Sequence, residues 1–227
     1  MRWSLPVVQS LTAGYADTSG FLALKGLFTS HVTGNFVTLG ASLVFGTTGA
    51  LTKTLALPVF CVVVFLSRLL AFRLEAAKRP VFRSLLRVQV VLLFVAAALA
   101  VWLGPIGDPD GGAALALGLT LVSAMALQNA AHRTYLSHTP PSTIMTGTTT
   151  QVMLDLAELV HGLRAEVAAS TIARLRRMSV SVLVFAGGCG LAAFFFAQFG
   201  KWCFCALPLF GLVSLTMRDE VPDAGPD

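Results

Sequence analysis

Charge is what this 227-residue sequence has least of. Only 12% of its residues are Asp, Glu, Lys or Arg, about half the share of an ordinary soluble domain. In contrast, 56% are hydrophobic and the mean hydropathy is +0.78. So few charges cannot clothe a water-soluble globular enzyme, and that class is excluded. Cysteine is scarce as well. Cys61, Cys189, Cys203 and Cys205 match no zinc spacing and are too sparse for a secreted disulfide framework, so no metal or cofactor is expected. There is no His-Glu-x-x-His, no Gly-x-Ser-x-Gly and no phosphate loop, and the chain is expected not to be an enzyme. The net charge of +5 would suit nucleic acid only if the cations shared a solvated face. Here they lie between apolar runs, which is the pattern of membrane topology.

Six apolar segments approach the roughly 20 residues that a spanning helix needs: 5–24, 54–72, 88–104, 113–131, 179–197 and 202–217. The first carries Thr12, Asp17, Thr18 and Ser19 in its middle and lacks the clean apolar core of a signal peptide. Tilt or snorkelling is expected where 54–72 contains Pro58 and Arg68, and where the last segment is short. Two further segments, 29–47 and 142–160, are rich in Thr and Gly, and charge decides whether they cross. If neither does and the N-terminus is cytoplasmic, 13 of the 16 basic residues lie inside. Those are Arg2, the cluster from Arg68 to Arg87, Arg133, the group from Arg164 to Arg177, and Arg218. Only Lys25, Lys53, Lys201 and the acidic GDPDGG turn at 107–112 then face outward, as the positive-inside rule prefers. The expected fold is an all-α polytopic membrane protein with about six transmembrane helices, two re-entrant or half-membrane Thr-Gly helices and both termini cytoplasmic.

The Thr-Gly segments also resemble each other: TSHVTGNFVTLGASL at 29–43 and STIMTGTTTQVMLDLAEL at 142–159. Asp17 lies 16 residues before Thr33, Asn129 lies 17 before Thr146, and two more spans follow each segment. Residues 1–106 and 107–217 therefore read as two three-span repeats, and an odd number of crossings turns the second upside down relative to the first. The acidic, Pro- and Gly-containing tail 218–227 is expected to be disordered.

The strings GYADTSGFLALKGLFTSHVTGN and LQNAAHRTYL…TIMTGTTTQ resemble the YoaK family of bacterial inner-membrane proteins, catalogued as a domain of unknown function. The resemblance spans nearly the whole chain. It implies a multi-pass protein of the bacterial inner membrane and supplies no reaction.

Non-helical backbone at membrane depth is tolerated only inside protein or beside a watery cavity. Thr33 and Thr146 are candidate N-caps for the helices that follow, and Gly34 and Gly147 permit close backbone approach. Two helix N-termini meeting near the midplane would hold an anion, so Thr33, Gly34, Asn35, Thr146, Gly147 and Thr148 are candidate substrate-binding residues. Close helix packing by small residues explains the same pattern equally well. Asp17, an acid well inside a span, is the candidate coupling group for a proton or cation. The other readings are that it caps a break in the helix, pairs with Lys25 or sits near the interface. Gln128 and Asn129 occupy the corresponding place in the second half and join the candidate solute site. Asp155 and Glu158 read as a solvated face, and His132 and Arg133 as interfacial. Residues 161–178 read as an amphipathic anchoring helix, and 186–193, AGGCGLAA, as plain packing.

The leading functional expectation is a secondary transporter or permease for a small anionic solute. A channel-like facilitator, or a non-transporting scaffold or sensor, stands beside it. The expected partners are the lipid bilayer and the solute, with no nucleic acid; homodimerisation is left open by the small size.

Overall fold

The computed structural model describes residues 4–46 and 49–217; the expected tail and the cations Arg2 and Arg218 lie outside them. Among the described residues the chain is all helical. The helices are α1 (Leu5–Ala23), α2 (Gly34–Phe45), α3 (Ala50–Ala76), α4 (Val81–Leu103), α5 (Gly112–Tyr135), α6 (Met145–His161), α7 (Ala165–Phe199) and α8 (Ala206–Thr216). A 3-10 turn, Gly200–Cys205, leads into α8. Four stretches are long and apolar enough to cross a membrane: α3, α4, α5 and the run from Ala165 to Thr216.

The distribution of polarity is the reverse of a soluble protein's. Gln9, Ser10, Thr12, Asp17, Gln89 and Gln128 are buried, whereas Phe36, Val37, Leu43, Val44 and Phe45 of α2 are 60% to 78% exposed, and α3 and α4 present further Phe, Leu and Val side chains outward. Such a surface suits hydrocarbon, which neither penalises exposed Leu nor hydrates buried Gln.

α1 and α5 are the inner helices, each with twelve buried residues. α1 packs along α7, and α5 along α3 and α4; α8 closes the bundle against α4 and α1. Among the described helices α2 packs only on α3, and α6 only on α7. Helix α1 carries the polar residues that kept it from reading as a clean span because its face is turned inward. Its hydroxyls bond back along the helix, Thr12 to the Val8 carbonyl at 2.8 Å and Ser19 to that of Tyr15 at 2.7 Å. Tyr15, fully buried, donates to the Cys203 carbonyl at 2.8 Å and so satisfies one acceptor of the 3-10 turn.

The α1–α7 crossing is set by two glycines. A Cβ on Gly14 would collide with the Phe185 carbonyl, and one on Gly188 with the Leu11 carbonyl. Of the AGGCGLAA stretch, Gly188 and Ala192 are buried, while Gly187 and Gly190 meet nothing within 4 Å. At the end of α7 Gly200 adopts φ +54°, a left-handed conformation that glycine enters without strain, and the chain reverses there. One expectation is corrected. Residues 161–178 do not form a separate surface helix, because Gly162 ends α6 and α7 then runs unbroken from Ala165 to Phe199.

The ends of the bundle carry different charges. Lys25, Lys53 and Lys201 share one end with the 104–111 loop, where Asp110 accepts from the backbone N–H groups of Gly49 and Leu51, both at 2.8 Å, and so caps α3. The opposite end gathers the α3–α4 turn, the end of α5 and the end of α8, where Arg83 holds the Leu215 and Met217 carbonyls. Partial burial pushes the Asp110 carboxyl up, but the N–H groups of Gly49, Thr52, Leu51 and Ala50 outweigh it and leave it below the usual carboxylate value.

Two predictions follow from this packing. Gly188→Leu should cost about 3 kcal/mol or more through overpacking, whereas Gly187→Leu, with nothing within 4 Å, should leave the melting temperature in detergent nearly unchanged. Because the folded pKa of Asp110 is depressed, its contribution is present above the unfolded value of about 3.9 and is lost as pH falls through the folded one. Wild-type protein should therefore lose stability on that acid limb, and Asp110→Asn should flatten this part of the profile in thermal melts.

Candidate functional site

After α1 ends, residues 24–33 turn back into the bundle, and the group that receives them is Asp17. Its carboxylate accepts the backbone N–H of Thr29 at 2.7 Å, of Ser30 at 2.6 Å and of His31 at 3.2 Å, with the Thr29 hydroxyl at 3.3 Å. Asp17 lies six residues before the helix end, so the chain dips back by about 9 Å. Asn35 holds the same loop from the other side. Its Oδ1 accepts the Phe28 N–H and its Nδ2 donates to the Phe28 carbonyl, both at 2.8 Å. Gly34 has no Cβ because one would stand 2.9 Å from the Phe28 ring.

Thr33 occupies the N-cap position of α2 but makes no side-chain capping bond. The first N–H groups of the helix are taken instead by a tighter turn before it, Gly34 to His31, Asn35 to Val32 and Phe36 to Thr33. The N-terminal region of the first Thr-Gly element is therefore filled from within. The anion it holds is the protein's own carboxylate.

The second element is built differently. Residues 136–144 dip back along α5, and the Thr143 hydroxyl donates to Asn129 Oδ1 at 3.1 Å. Asn129 is also six residues from the end of its helix. Helix α6 begins at Met145, with Ile144 in the cap position and no side-chain cap, so Thr146 is a first-turn residue and not the expected N-cap. Among the described residues the N–H groups of Met145, Thr146 and Gly147 have no acceptor. Thr148, buried, bonds back to the Ile144 carbonyl at 2.8 Å. An open groove of about 550 Å3 lies beside this turn, lined by Met145, Thr146, Thr149, Thr150, Met153 and Leu154. Among the described residues helices α2 and α6 share no contact.

Gln128 sits in a third group. Gln89 donates to its Oε1 at 2.8 Å, and its Nε2 donates to the Gln9 carbonyl at 2.9 Å and to Ser142 at 3.1 Å. Gln128 is thus fully engaged in tying α1, α4, α5 and the second dip together. Beside it, Gln9 Oε1 lies 3.4 Å from His132 Nδ1, while Gln9 Nε2 is buried without a partner. His132, in the last turn of α5, is buried in this group, where its Nε2 meets the Thr139 hydroxyl at 3.1 Å. The sequence reading missed Gln9 and Gln89, since an isolated glutamine in an apolar run has no spacing signal of its own.

The family model for a protein of unknown function, DUF1275, matches residues 5–217. The chain belongs to that family. This is the YoaK family that its Thr-Gly strings resemble, and the match covers both dips and all the polar groups described above. No curated protein and no solved structure matches the DUF1275 chain.

The helices that follow the dips carry the last polar contacts of this DUF1275 protein. In α2 the buried residues are Asn35 and Ser42, and in α6 they are Thr148 and Asp155; each pair lies two and nine places after the threonine of its Thr-Gly. Lys53 of α3 reaches Ser42 at 3.0 Å. Arg174 of α7 grips Asp155 with two bonds, at 2.8 and 2.7 Å, and Gln151 adds a third at 2.7 Å. Asp155 is 0% exposed. The solvated face expected for it is corrected: only a partner from α7, invisible to local pattern, makes that burial tolerable.

The loop clamp is testable. Asp17→Asn replaces an oxygen by an amide donor among backbone donors, and should cost about 1–3 kcal/mol, read as a lower melting temperature in detergent. Asn35→Ala should act in the same direction, while Thr33→Ala, which removes no capping bond, should be nearly neutral.

Proposed function

We propose that this protein is a secondary transporter or permease of the bacterial inner membrane for a small anionic solute, not an enzyme. It is built as two inverted repeats, 1–106 and 107–217, with six crossings, two re-entrant Thr-Gly elements and both termini cytoplasmic. Several features support the repeat. Exchanging α1 with α5, α2 with α6, α3 with α7 and α4 with the 3-10 turn plus α8 preserves the packed pairs, since α1–α7 becomes α5–α3, α2–α3 becomes α6–α7 and α3–α4 becomes the contact of α7 with the 3-10 turn. The dips enter from opposite ends, because Leu24 and Leu27 at the end of α1 pack on Gly118 near the start of α5. Length supports the two crossings that hydropathy leaves weak. Helix α1 is about 28 Å long, and the 3-10 turn with α8 is also about 28 Å, close to a hydrocarbon core of about 30 Å. The excess of Arg at the end holding the α3–α4 turn supports its cytoplasmic placement.

The observation that carries the solute assignment is the contrast between Asp17 and Asn129. Where the first half surrounds a carboxylate with backbone donors, the second half has a neutral amide, an uncapped first turn and an open groove. A solute anion at Asn129, Thr146, Gly147 and Thr148 would take the place that Asp17 takes beside Thr33, Gly34 and Asn35. Coupling through Asp17 is then release of the 24–33 loop: a proton on that carboxylate displaces the N–H groups that hold the dip closed.

In proteoliposomes, saturable uptake of a short-chain carboxylate or inorganic phosphate is expected from the wild type. Asn129→Asp supplies an internal anion to the second half and should lower uptake about ten-fold or more, equivalent to at least 1.4 kcal/mol of competition, with the melting temperature retained. Asp17→Asn should keep exchange and lose gradient-driven accumulation. Uptake by Asn129→Asp equal to wild type, or no saturable uptake of either anion by the wild type, would refute the assignment.

A further inference from the structure

A cation-lined cleft lies at the lysine end, where the first dip begins. There the ends of α1, α4 and α7 and the start of α5 leave a cleft of about 240 Å3. Its floor is apolar, formed by Ala100, Leu117, Phe196 and Phe204, and the only charged side chains lining it are Lys25 and Lys201. Each ammonium makes one hydrogen bond, Lys25 to the Gly107 carbonyl at 3.1 Å and Lys201 to the Val101 carbonyl at 2.8 Å. An ammonium has three donors, so two remain on each. No carboxylate pairs with either among the described residues, and the acids of the adjoining loop are directed elsewhere. Asp110 caps α3, and Asp108 accepts the Asp110 N–H.

The setting indicates what the cleft receives. Trp102 and Trp202, 82% and 57% exposed, stand at the same end, and Lys201 lies 6.0 Å from the Trp202 ring. Exposed tryptophans on an apolar bundle mark the level of lipid headgroups. The third lysine of this end, Lys53, is buried and engaged with Ser42, which leaves Lys25 and Lys201 as its cations directed to one cleft. A volume of about 240 Å3 is below the roughly 300–1,000 Å3 of a site that encloses a drug-sized ligand, so it admits a head and not a whole lipid.

We infer that this cleft binds the phosphate head of an anionic phospholipid, with Lys25 and Lys201 as the phosphate donors and the apolar floor receiving the adjoining stem. Lys25 belongs to the 24–33 loop that the transport reading releases, but the test reads binding and not flux, so either can fail alone. The full chain, purified in a neutral detergent, is titrated with phosphatidylglycerol, phosphatidylcholine or inorganic phosphate while its melting temperature is followed. Phosphatidylglycerol should raise the melting temperature saturably, and the other two should not. The Lys25→Gln/Lys201→Gln pair keeps a donor for each carbonyl but loses both charges, and should weaken the phosphatidylglycerol effect about ten-fold or more. Lys25→Arg/Lys201→Arg should restore it, and Lys78→Gln/Arg79→Gln at the opposite end should leave it unchanged. An equal response to phosphatidylcholine, a response to inorganic phosphate alone, or an undiminished response in a folded Gln pair would overturn the assignment.

Discussion

A buried backbone N–H must find an acceptor, and much of the first half of this protein is organised around one that answers this demand. The carboxylate of Asp17 takes the N–H groups of Thr29, Ser30 and His31, which lets residues 24–33 leave helical geometry without orphaned donors. Once that loop is placed, Phe28 lies where Asn35 can bond both its N–H and its carbonyl, and this orients the start of α2. The far end of α2 then brings Ser42 to Lys53, while Asp110 caps the start of α3. The Thr-Gly-Asn string is thus the seam of a folded-back loop. Its glycine makes room for a ring, and its asparagine clamps a peptide unit.

The second half answers the same demand with other chemistry. Asn129 stands where Asp17 does but receives only a hydroxyl, and Gln128, Ser142 and Gln89 supply the cross-links that hold its dip. Its buried acid has moved to α6, where Asp155 meets Arg174, at the place of the neutral Ser42. Each half therefore has one buried carboxylate, in the loop clamp in one and in the pairing of the Thr-Gly helix with the next helix in the other. A charge shared between two helices restricts their sliding, and a charge held by a loop restricts its opening. Helices α2 and α6 each rest on one neighbouring helix, α2 through Ser42 and Lys53 and α6 through Asp155 and Arg174.

Much of this was legible in the residues themselves. The apolar runs identify the helices because a 3.6-residue repeat buried in hydrocarbon needs no polar face, and the paired Thr-Gly strings mark both dips. The sequence placed Asp17 within the first helix and Gln128 and Asn129 within the fifth, but read them as coupling and solute-binding groups and not as the residues that hold the loops. What could not be read was who bonds to whom. Asp155 looked solvated because Arg174 is contributed by another helix, and Thr146 looked like a cap although the cap position falls two residues earlier, at Ile144.

The sequence by itself determined the apolar, all-helical character of the chain and the recurrence of the Thr-Gly strings. Each of these follows from composition and local order, which act over one or two turns. Tertiary structure decided that the Thr-Gly elements stay apart and that the first has its donors occupied by an internal carboxylate while the second stays uncapped. It also brought Lys25 and Lys201, far apart in the chain, to one cleft. Those outcomes depend on how closely α1 crosses α7 at Gly14 and Gly188, and therefore on packing between distant segments that no local pattern encodes.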